Sequence, residues 1–427
     1  MDRLLIRGGR LIDPKNKIDE KLDLLLAGAR VAEIGKDLKA GAGTAVLEAT
    51  GKVVVPGLVD MHVHLREPGR EDEETVASGC LAAAAGGFTA VAAMPNTDPV
   101  TDNRAAVGYL IREAIKAGYA KVYPVGAITE NIAGESLAEM GGMIDAGAVA
   151  FTDDGHCVKS AEVMRKALTY SLIFGVAIID HCEDSTLVGD GVMNEGLVAT
   201  RLGLAGIPVE SEEIIVYRDC ALARLTGARL HVAHISTRRS VDVVRRFKAE
   251  GIKVTAEATP HHFSLVDEAV NGYNTNAKMS PPLRSPQDLT ALREGLANGT
   301  IDCIASDHAP HHYDEKETAF ADAPNGVIGL ETSFPVSYTE LVIGGVMDLN
   351  TLIERMSTAP AKILGVPGGS LAKGDPADVT VLDIETTWTI DKNAFYSKSR
   401  NTPFHHRKVT GRAVATVVGG RIIWQLR

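Results

Sequence analysis

Two patterns of hydrophobic and polar positions divide the chain. In residues 1–55 and again in residues 366–427, short apolar runs alternate with turns rich in glycine and aspartate, as in RLLIRGGRLID and ADVTVLDI. Such runs are typical of β-strands. Neither end contains enough strands for a stable core of its own. We therefore predict that the two ends pair with each other as one small β domain.

Residues 56–365 follow a different pattern, in which short, continuous apolar runs alternate with longer, amphipathic, alanine-rich segments. Continuous apolar runs are typical of buried parallel strands, and eight strand–helix units predict a closed (β/α)8 barrel. An open, doubly wound sheet is the alternative, but no glycine-rich phosphate loop follows the first run. The eight runs are VVVPGLVDMHVH, FTAVAAMP, VYPVGAIT, AVAFTDDG, VAIIDHCED, LHVAHIS, KVTAEATPHH and CIASDHAPH.

Composition narrows the class of protein. The 427 residues are 45% hydrophobic and 23% charged, as in a globular protein, with a formal net charge of −11. That charge argues against nucleic acid or an anionic membrane as a partner. The sequence shows neither a signal-peptide pattern nor an apolar run long enough to span a membrane. Its five cysteines form no C-x-x-C pair, so we expect a reduced, cytoplasmic protein.

The first apolar run of the predicted barrel ends in two histidines, His62 and His64, followed by Arg66. Residues i and i+2 of a strand point to the same side. Both imidazoles therefore project together at the carboxyl end of the strand, where barrel active sites are built. Two imidazoles side by side there suit half of a divalent-metal site. Taken alone, the pair is equally compatible with ordinary core or surface histidines.

Other strands of the predicted barrel also end in residue types that bind metals. Such side chains can converge on one point, and burying them is costly unless they are paired or coordinated. The candidates are Asp153 and Asp154 after strand four, His181 after strand five, His234 after strand six, and Asp307, His308, His311 and His312 after strand eight.

This set of side chains predicts hydrolytic chemistry. Three or four nitrogen and oxygen ligands hold one zinc, and the number here suffices for two metals if one carboxylate bridges them. A metal pair generates hydroxide near neutral pH and polarises a carbonyl. Asp307, at the end of the last strand, is the best-placed group to take a proton from water and pass it to a leaving nitrogen. We therefore predict an amide or cyclic-amide hydrolase.

Seven short motifs make the chain resemble the cyclic amidohydrolases of the amidohydrolase superfamily, and among them the class I dihydroorotases. The resemblance covers nearly the whole chain, and its most specific parts are HLREPG, MPNT and SKSRNTPF. The motifs are DMHVHLREPG, AMPNTDP, FTDDG, TPHHF, SDHAPH, GLET and SKSRNTPF.

The resemblance implies a site for one or two zinc ions per subunit, with two favoured. Asp154 would bridge them, where hydantoinases, allantoinases and other dihydroorotases carry a modified lysine, and Asp153 would point the other way. Asp307 would also be the proton shuttle. The implied ligands are His62, His64 and Asp307 for one zinc, His181 and His234 for the other, and Asp154 between them.

The resemblance also implies a substrate pocket. Arg66 and Asn96 would hold a substrate carboxylate, since the planar fork of arginine matches a carboxylate. The other implied contacts are His64, Ser280, His311, and Asn325 with Gly326 in a segment that closes over the ring.

The implied reaction is the reversible cyclisation of N-carbamoyl-L-aspartate to L-dihydroorotate in de novo pyrimidine synthesis, by attack of a metal-bound hydroxide with Asp307 shuttling the proton. We expect a homodimer, and a complex with aspartate transcarbamoylase is possible. We expect neither nucleic acid nor a membrane as a partner.

Two positions depart from the family pattern. Ser280 in KMSPPLR replaces an asparagine, and Asn325 in APNG replaces an aromatic residue. Serine offers fewer hydrogen-bond donors than an amide, and asparagine removes an apolar lid. The rival functions are therefore another cyclic amidase, such as an allantoinase or a hydantoinase, or a catalytically silent partner of aspartate transcarbamoylase.

Several other groups near the strand ends are expected to be structural. We predict that His231 is a core residue, that His308 orients or packs, and that His261 and His262 do not bind metal. Free cysteines mostly behave as small apolar residues, and we expect this of Cys157 and Cys182, which could touch. We predict that segment 311–326 is a mobile lid rather than a solvated linker. The histidines and cysteines named here lie in the segments HVAHIS, TPHHF, SDHAPHH, TDDGHC and DHCED.

Overall fold

The computed structural model describes residues 3–426. The chain begins with a group of short strands joined by turns. Arg3–Asp13 and Ile18–Ala27 pair as an antiparallel hairpin with a register shift between Ile6 and Gly9. The strands are β1 (Arg3–Asp13), β2 (Ile18–Ala27), β3 (Arg30–Gly35), β4 (Thr44–Glu48) and β5 (Val53–Pro56).

A parallel barrel follows. Eight of the next strands form one sheet in the order β6-β7-β8-β9-β10-β13-β14-β15, while β11 and β12 form a separate short pair. Val63 and His308 form a parallel bridge between the first strand and the segment after the last, so the barrel is nearly closed. The prediction of a (β/α)8 barrel is confirmed. The strands are β6 (Leu58–Val63), β7 (Phe88–Ala93), β8 (Lys121–Gly126), β9 (Ala150–Phe151), β10 (Ala177–Asp180), β11 (Met193–Asn194), β12 (Gly206–Ile207), β13 (Arg229–Val232), β14 (Val254–Ala258) and β15 (Cys303–Ile304).

The end of the chain returns to the first sheet. Strands β16 (Val379–Thr389), β17 (Lys408–Val418) and β18 (Arg421–Gln425) extend it in the order β18-β17-β16-β5-β1-β2-β3, with β4 paired to β1. Strand β5 lies between β1 and β16 and so joins the two ends of the chain. The prediction of one β domain built from both ends is confirmed.

Helices cover the barrel, and their ends follow local sequence rules. Thr75 caps α1 in a reciprocal capping box with Ser78, and Ser285 does the same for α9 with Asp288. Within residues 3–426 the α-helices are α1 (Val76–Gly86), α2 (Arg104–Ala117), α3 (Met140–Ala146), α4 (Ala161–Ser171), α5 (Ser185–Val188), α6 (Leu197–Leu202), α7 (Glu210–Thr226), α8 (Arg238–Ala249), α9 (Pro286–Asn298), α10 (Tyr313–Lys316), α11 (Ser333–Ser337), α12 (Leu349–Ile353) and α13 (Ala359–Leu364). Wider π-helical turns at Tyr338–Ile343 and Glu354–Thr358 continue α11 and α12, and 3-10 turns lie at Glu130–Ile132, Asp267–Val270, Thr275–Ala277 and Lys392–Ala394.

Strand β6 carries an irregularity that matters for the site. Its pairing with β7 shifts register between Asp60 and Val63. Met61 packs inside the barrel with alanines such as Ala90 and Ala92, while Val63 belongs to the cluster beneath the helices. A bulge changes the direction of nearby side chains. His62 can therefore face the barrel mouth together with His64, although the preceding residue, Met61, also points into the barrel.

The described residues 3–426 include no helix long and apolar enough to cross a membrane.

Candidate metal centre and active site

The side chains predicted to bind metal meet at the carboxyl end of the barrel. One oxygen of Asp154 lies 3.3 Å from Nε2 of His62, and its other oxygen lies 3.3 Å from Nε2 of His64. Oδ1 of Asp307 lies 3.6 Å and 3.3 Å from the same two nitrogens. Both carboxylates therefore face both imidazoles of the His-x-His pair.

The second pair of histidines lies on the other side of Asp154. Nδ1 of His181 and Nε2 of His234 are 2.9 Å apart. The same Asp154 oxygen that faces His62 lies 3.5 Å from Nε2 of His234 and 3.8 Å from Nδ1 of His181. Asp154 thus lies between the two histidine pairs, the position expected of a bridging ligand.

Unsatisfied atoms within this cluster fit a bound cation. Nε2 of His62 and Oδ1 of Asp154 are buried and have no hydrogen-bond partner among residues 3–426. Buried polar atoms without partners are rare and costly. Two overlapping trios have ligand atoms close enough to share an ion, one being His62, His64 and Asp307 and the other His62, Asp154 and His234. Imidazole nitrogens and carboxylate oxygens are suitable ligands for zinc.

The carboxylates of the cluster are held in their charged form. Burial would raise the pKa of Asp154, but the nearby imidazoles of His62 and His234 hold it well below its usual value. Burial also opposes ionisation of Asp307, yet the nearby imidazoles of His64 and His62 lower its pKa. Both groups are therefore available as anionic ligands.

Asp153 takes a structural role, as period-two geometry predicted. Its Oδ1 accepts backbone N–H bonds from Ile128 at 2.8 Å and Thr129 at 3.0 Å. It therefore fixes the loop after β8 and points away from the metal cluster.

A carboxylate missed in the sequence supports two ligand histidines. Oε1 of Glu257 lies 2.6 Å from Nδ1 of His62 and also accepts the backbone N–H of His234 at 3.2 Å. Its Oε2 lies 3.2 Å from Nε2 of His231, whose Nδ1 is 2.8 Å from the hydroxyl of Thr255. The core role predicted for His231 is thus observed. The available signal was a glutamate within the apolar run of strand seven, since a buried charge needs partners.

Glu257 is held in its ionised form although its side chain is buried. Burial would raise its pKa, but the contacts with His62 and His231 lower it to about 2. An ionised Glu257 favours a proton on Nδ1 of His62, which leaves Nε2 free to bind a metal.

The other two ligand rings are supported by polar residues as well. Nδ1 of His64 lies 2.8 Å from Oδ1 of Asn96. Nε2 of His181 lies 3.5 Å from Oε2 of Glu183, and the hydroxyl of Ser280 donates to the same oxygen at 3.1 Å. Of the two residues predicted to touch substrate, Asn96 therefore contacts a predicted metal ligand, His64, and Ser280 contacts the carboxylate beside another, His181.

Arg66 lies beside the cluster, in a left-handed backbone conformation with φ of 61°. Its Nε lies 3.0 Å from Oε2 of Glu73 and donates to the carbonyl of Pro310 at 3.0 Å. Oε1 of Glu73 in turn lies 2.9 Å from Nδ1 of His311. The structure thus brings Arg66 and His311 together through Glu73, which the sequence reasoning missed.

Residues 311–326 pack against the barrel mouth and are not a solvated linker. Nζ of Lys316 donates to the carbonyls of Thr275, Lys278 and Pro324. Burial lowers the pKa of Lys316 to about 7. Whether the segment moves as a lid stays a prediction.

The segment reaches His311 through its backbone. Nε2 of His311 lies 2.8 Å from the carbonyl oxygen of Asn325, whose side chain is exposed. Gly326 has φ of +138°, and a Cβ there would lie 2.8 Å from that of Ala309. Only glycine fits this position without strain.

Two other histidines near the barrel mouth, His308 and His262, have partners of their own. Nδ1 of His308 accepts the backbone N–H of Gly329 at 3.1 Å, and its Nε2 lies 3.4 Å from Glu74. His262 lies between the hydroxyl of Thr259 and the carbonyl of Pro281, at 2.8 Å from each. Burial lowers the pKa of His261 to about 4, so the imidazole of His261 is neutral at pH 7.

The thiols behave as the sequence predicted. All five cysteines are free and buried. Sγ of Cys157 and Sγ of Cys182 lie 3.8 Å and 3.7 Å from the same oxygen of Asp180. Burial raises the pKa of Cys157, and it raises that of Cys182 well above its usual value, so neither is an active thiolate.

Family models match two overlapping parts of the chain. Residues 51–240 match a model described as dihydro-orotase-like, and residues 223–424 match the amidohydrolase family. Together they span the barrel and part of the small sheet.

Individual proteins match over nearly the full length. A dihydroorotase from Syntrophotalea carbinolica is 54% identical over 424 residues, covering 99% of each chain. One from Geotalea daltonii is 53% identical over 420 residues, covering 98% of this chain and 99% of that one. Among solved structures, the L-hydantoinase (dihydropyrimidinase) from Arthrobacter aurescens superposes with a TM-score of 0.89 at 28% identity, covering 100% of this chain and 96% of that one.

Proposed function

Because this chain belongs to the dihydroorotase family and is a hydrolase of cyclic amide bonds, we propose that it interconverts L-dihydroorotate and N-carbamoyl-L-aspartate with bound zinc. In the biosynthetic direction the reaction closes the ring for pyrimidine synthesis. We expect it to take place in the cytoplasm.

One observation supports this proposal most strongly. Four histidines and two aspartates lie together at the carboxyl end of the barrel, and three of their atoms, Nε2 of His62, Nδ1 of His234 and Oδ1 of Asp154, are buried without partners in the part of the chain described. The proposed ligands are His62, His64 and Asp307 for one zinc, His181 and His234 for the other, and Asp154 as the bridge.

Zinc at this position would lower the pKa of a water to about 7 and polarise the scissile carbonyl. Asp307 is then the proposed proton shuttle. Its carboxylate is ionised and buried at the mouth of the barrel, so it can accept a proton from the attacking water. It returns that proton to the ring nitrogen as the C–N bond breaks, and the steps reverse for ring closure.

Arg66 is proposed to bind the carboxylate that substrate and product share. Its Nε is engaged by Glu73 and Pro310, which fixes the plane of the guanidinium. A fixed plane is suited to a carboxylate because two parallel N–H bonds can form. His64, Asn96, His311, Asn325 and Gly326 complete the proposed substrate contacts, and Ser280 acts instead through Glu183, to which its hydroxyl donates.

A hydantoinase or allantoinase activity is the second candidate. The superposition on an L-hydantoinase favours it. A buried arginine at the barrel mouth, Arg66, favours a substrate that carries a carboxylate. A catalytically silent homologue is disfavoured because all six proposed ligands are present and converge.

The test is direct. Protein loaded with zinc is assayed for opening of L-dihydroorotate and closure of N-carbamoyl-L-aspartate, with hydantoin and allantoin in parallel. We expect turnover of the first pair, and its loss in Asp307→Asn. Asp322→Asn, an exposed aspartate on the neighbouring loop, is the matched control. Turnover of hydantoin or allantoin alone would refute the proposed substrate.

Zinc content is measured in the same preparations, so that loss of metal in Asp307→Asn is distinguished from loss of the proton shuttle. The homodimer and the complex with aspartate transcarbamoylase remain expectations, which sedimentation of the protein with and without that enzyme would check.

A further inference from the structure

A second cavity lies away from the metal cluster, between the helices of the barrel and the small sheet. It has a volume of about 150 Å³ and shares no lining residue with the metal cluster. The end of α1 lines it through Ala85 and Gly86, and the middle of α11 lines it through Pro335. Strands β16, β17 and β18 form a wall through Trp388, Arg412 and Trp424. A cavity of this volume accommodates a single aromatic ring.

The walls of this cavity are aromatic. Trp388 and Trp424 are the chain's two tryptophans, and both line it. Tyr396 meets Trp424 edge to face, with ring centroids 6.4 Å apart. The guanidinium of Arg412 lies 5.9 Å from the centre of the Trp388 ring. Flat π surfaces favour a planar ligand that can stack on them or meet them edge to face.

Two donors beside the cavity, on residues that line it, lack acceptors. Nε of Arg412 and Nε1 of Trp424 are buried without a hydrogen-bond partner within residues 3–426. The same range contains no carboxylate within ion-pairing distance of Arg412, which is unusual for a partly buried arginine. By contrast, Nε1 of Trp388 donates to the carbonyl of Gly411 at 3.0 Å. Donors left unpaired in a cavity call for a ligand that supplies acceptor oxygens.

The two acidic side chains that line the cavity, Glu331 and Asp391, do not accept hydrogen bonds from these donors. Oε1 of Glu331 accepts the backbone N–H groups of Tyr396 at 2.8 Å and Ser397 at 3.1 Å. Burial raises its pKa to about 8, so it is mostly uncharged at pH 7 and does not repel an anion. Asp391, at the rim, accepts from Asn393 instead.

We propose that this cavity binds a small planar aromatic carboxylate, with the ring beside Trp388 and Trp424 and the carboxylate on Arg412 and the indole N–H of Trp424. A carboxylate supplies the two acceptors that these donors lack. Arginine paired with a carboxylate is also the stronger kind of hydrogen bond. The proposal is independent of the reaction at the metal cluster.

The two tryptophans give a direct test. Benzoate is titrated into the full-length, zinc-loaded protein while tryptophan fluorescence is recorded, so the signal comes from the cavity alone. We expect a saturable change. Cyclohexanecarboxylate, which is not planar, should bind at least tenfold more weakly. Arg66→Met should leave the change intact, which separates this site from carboxylate binding at the metal cluster.

Variants assign the signal to the proposed groups. Trp424→Phe keeps a ring and removes the N–H donor, and should weaken benzoate about fivefold, as read from Trp388. Arg412→Met should weaken it more than tenfold, while Arg421→Met, an exposed arginine on the same sheet, should not. Thermal unfolding and ring-opening activity confirm that each variant is folded.

Three results would overturn the proposal. One is the absence of a saturable change, and another is equal affinity in Arg412→Met. The third is a fluorescence change that depends on protein concentration without benzoate, which would assign the cavity to a second copy of the chain.

Discussion

Nδ1 of His62 and Oε1 of Glu257 lie 2.6 Å apart in the interior of the barrel, and both side chains are fully buried. The same oxygen accepts the backbone N–H of His234, a residue with a positive φ of 27°. One carboxylate thus orients a ligand from each of the two proposed zinc positions.

Replacing Glu257 should therefore weaken metal binding while all six proposed metal ligands stay in place. In Glu257→Gln the amide can still accept from His62, but it loses the charge that fixes the tautomer. We expect zinc affinity to fall about 10- to 100-fold, the range typical of residues that hold metal ligands. Competition with a chromogenic chelator measures it. Glu294→Gln, exposed on α9, is the control; unchanged affinity in Glu257→Gln would show that the contact is only structural.

Ser280 should act through Glu183 rather than through the substrate. Its hydroxyl donates to the carboxylate that lies 3.5 Å from Nε2 of His181. Losing one such bond costs about 1 kcal/mol, or roughly fivefold in rate. We expect Ser280→Ala to lower kcat by that factor with little change in KM, and Ser280→Asn to retain activity. Steady-state kinetics with L-dihydroorotate decide; a rise in KM alone would place the hydroxyl on the substrate.

Arg66→Lys should separate the contribution of positive charge to substrate binding from the contribution of the planar guanidinium. Lysine keeps the positive charge but cannot form two parallel bonds to a carboxylate. We expect KM for L-dihydroorotate to rise about tenfold or more, corresponding to about 1.4 kcal/mol. Arg70→Lys is the matched control, since Arg70 contacts the same Glu73 at 3.0 Å but is 46% exposed. An equal effect in both variants would mean that the result reports on Glu73 and not on substrate.

Glu331 should make stability depend on pH. Its pKa is raised from 4.5 to about 8 in the folded protein because the group is buried. The folded state therefore binds the proton more tightly, and this stabilisation is complete below pH 4.5 and lost as pH rises through 8. Glu331→Gln removes the titration and keeps an acceptor for Tyr396 and Ser397. We expect the variant to gain about 4 kcal/mol over the parent between pH 5 and pH 9, measured by urea unfolding. If the free energy of unfolding of both proteins changed with pH in the same way, the prediction for Glu331 would be wrong.

Much of the architecture could be predicted from the pattern of apolar runs. Eight continuous runs separated by amphipathic segments allow few arrangements other than a barrel. The i, i+2 rule placed His62 and His64 together and sent Asp153 away from Asp154, as the structure shows. These features depend on backbone periodicity alone, which the sequence specifies locally.

The polar groups behind the ligands were harder to predict, because their partners are distant in sequence. Glu257 contacts His62, 195 positions away, and Ser280 contacts Glu183, 97 positions away. Neither distance follows from local pattern. The bulge in β6 was also missed, since the sequence there still reads as a regular strand.

The pairing of β5 with β16 has a consequence for how the protein is made. Val54 in β5 pairs with Val381, roughly 330 residues later in the chain. At about 5 to 20 residues per second, a ribosome needs about 15 to 65 s to supply that partner. Throughout this interval the edge of β5 that will pair with β16 is uncovered. The barrel is meanwhile already emerging behind the first five strands. The sheet is therefore the last part of the molecule that can be completed, and its early strands are the natural targets for a chaperone during translation.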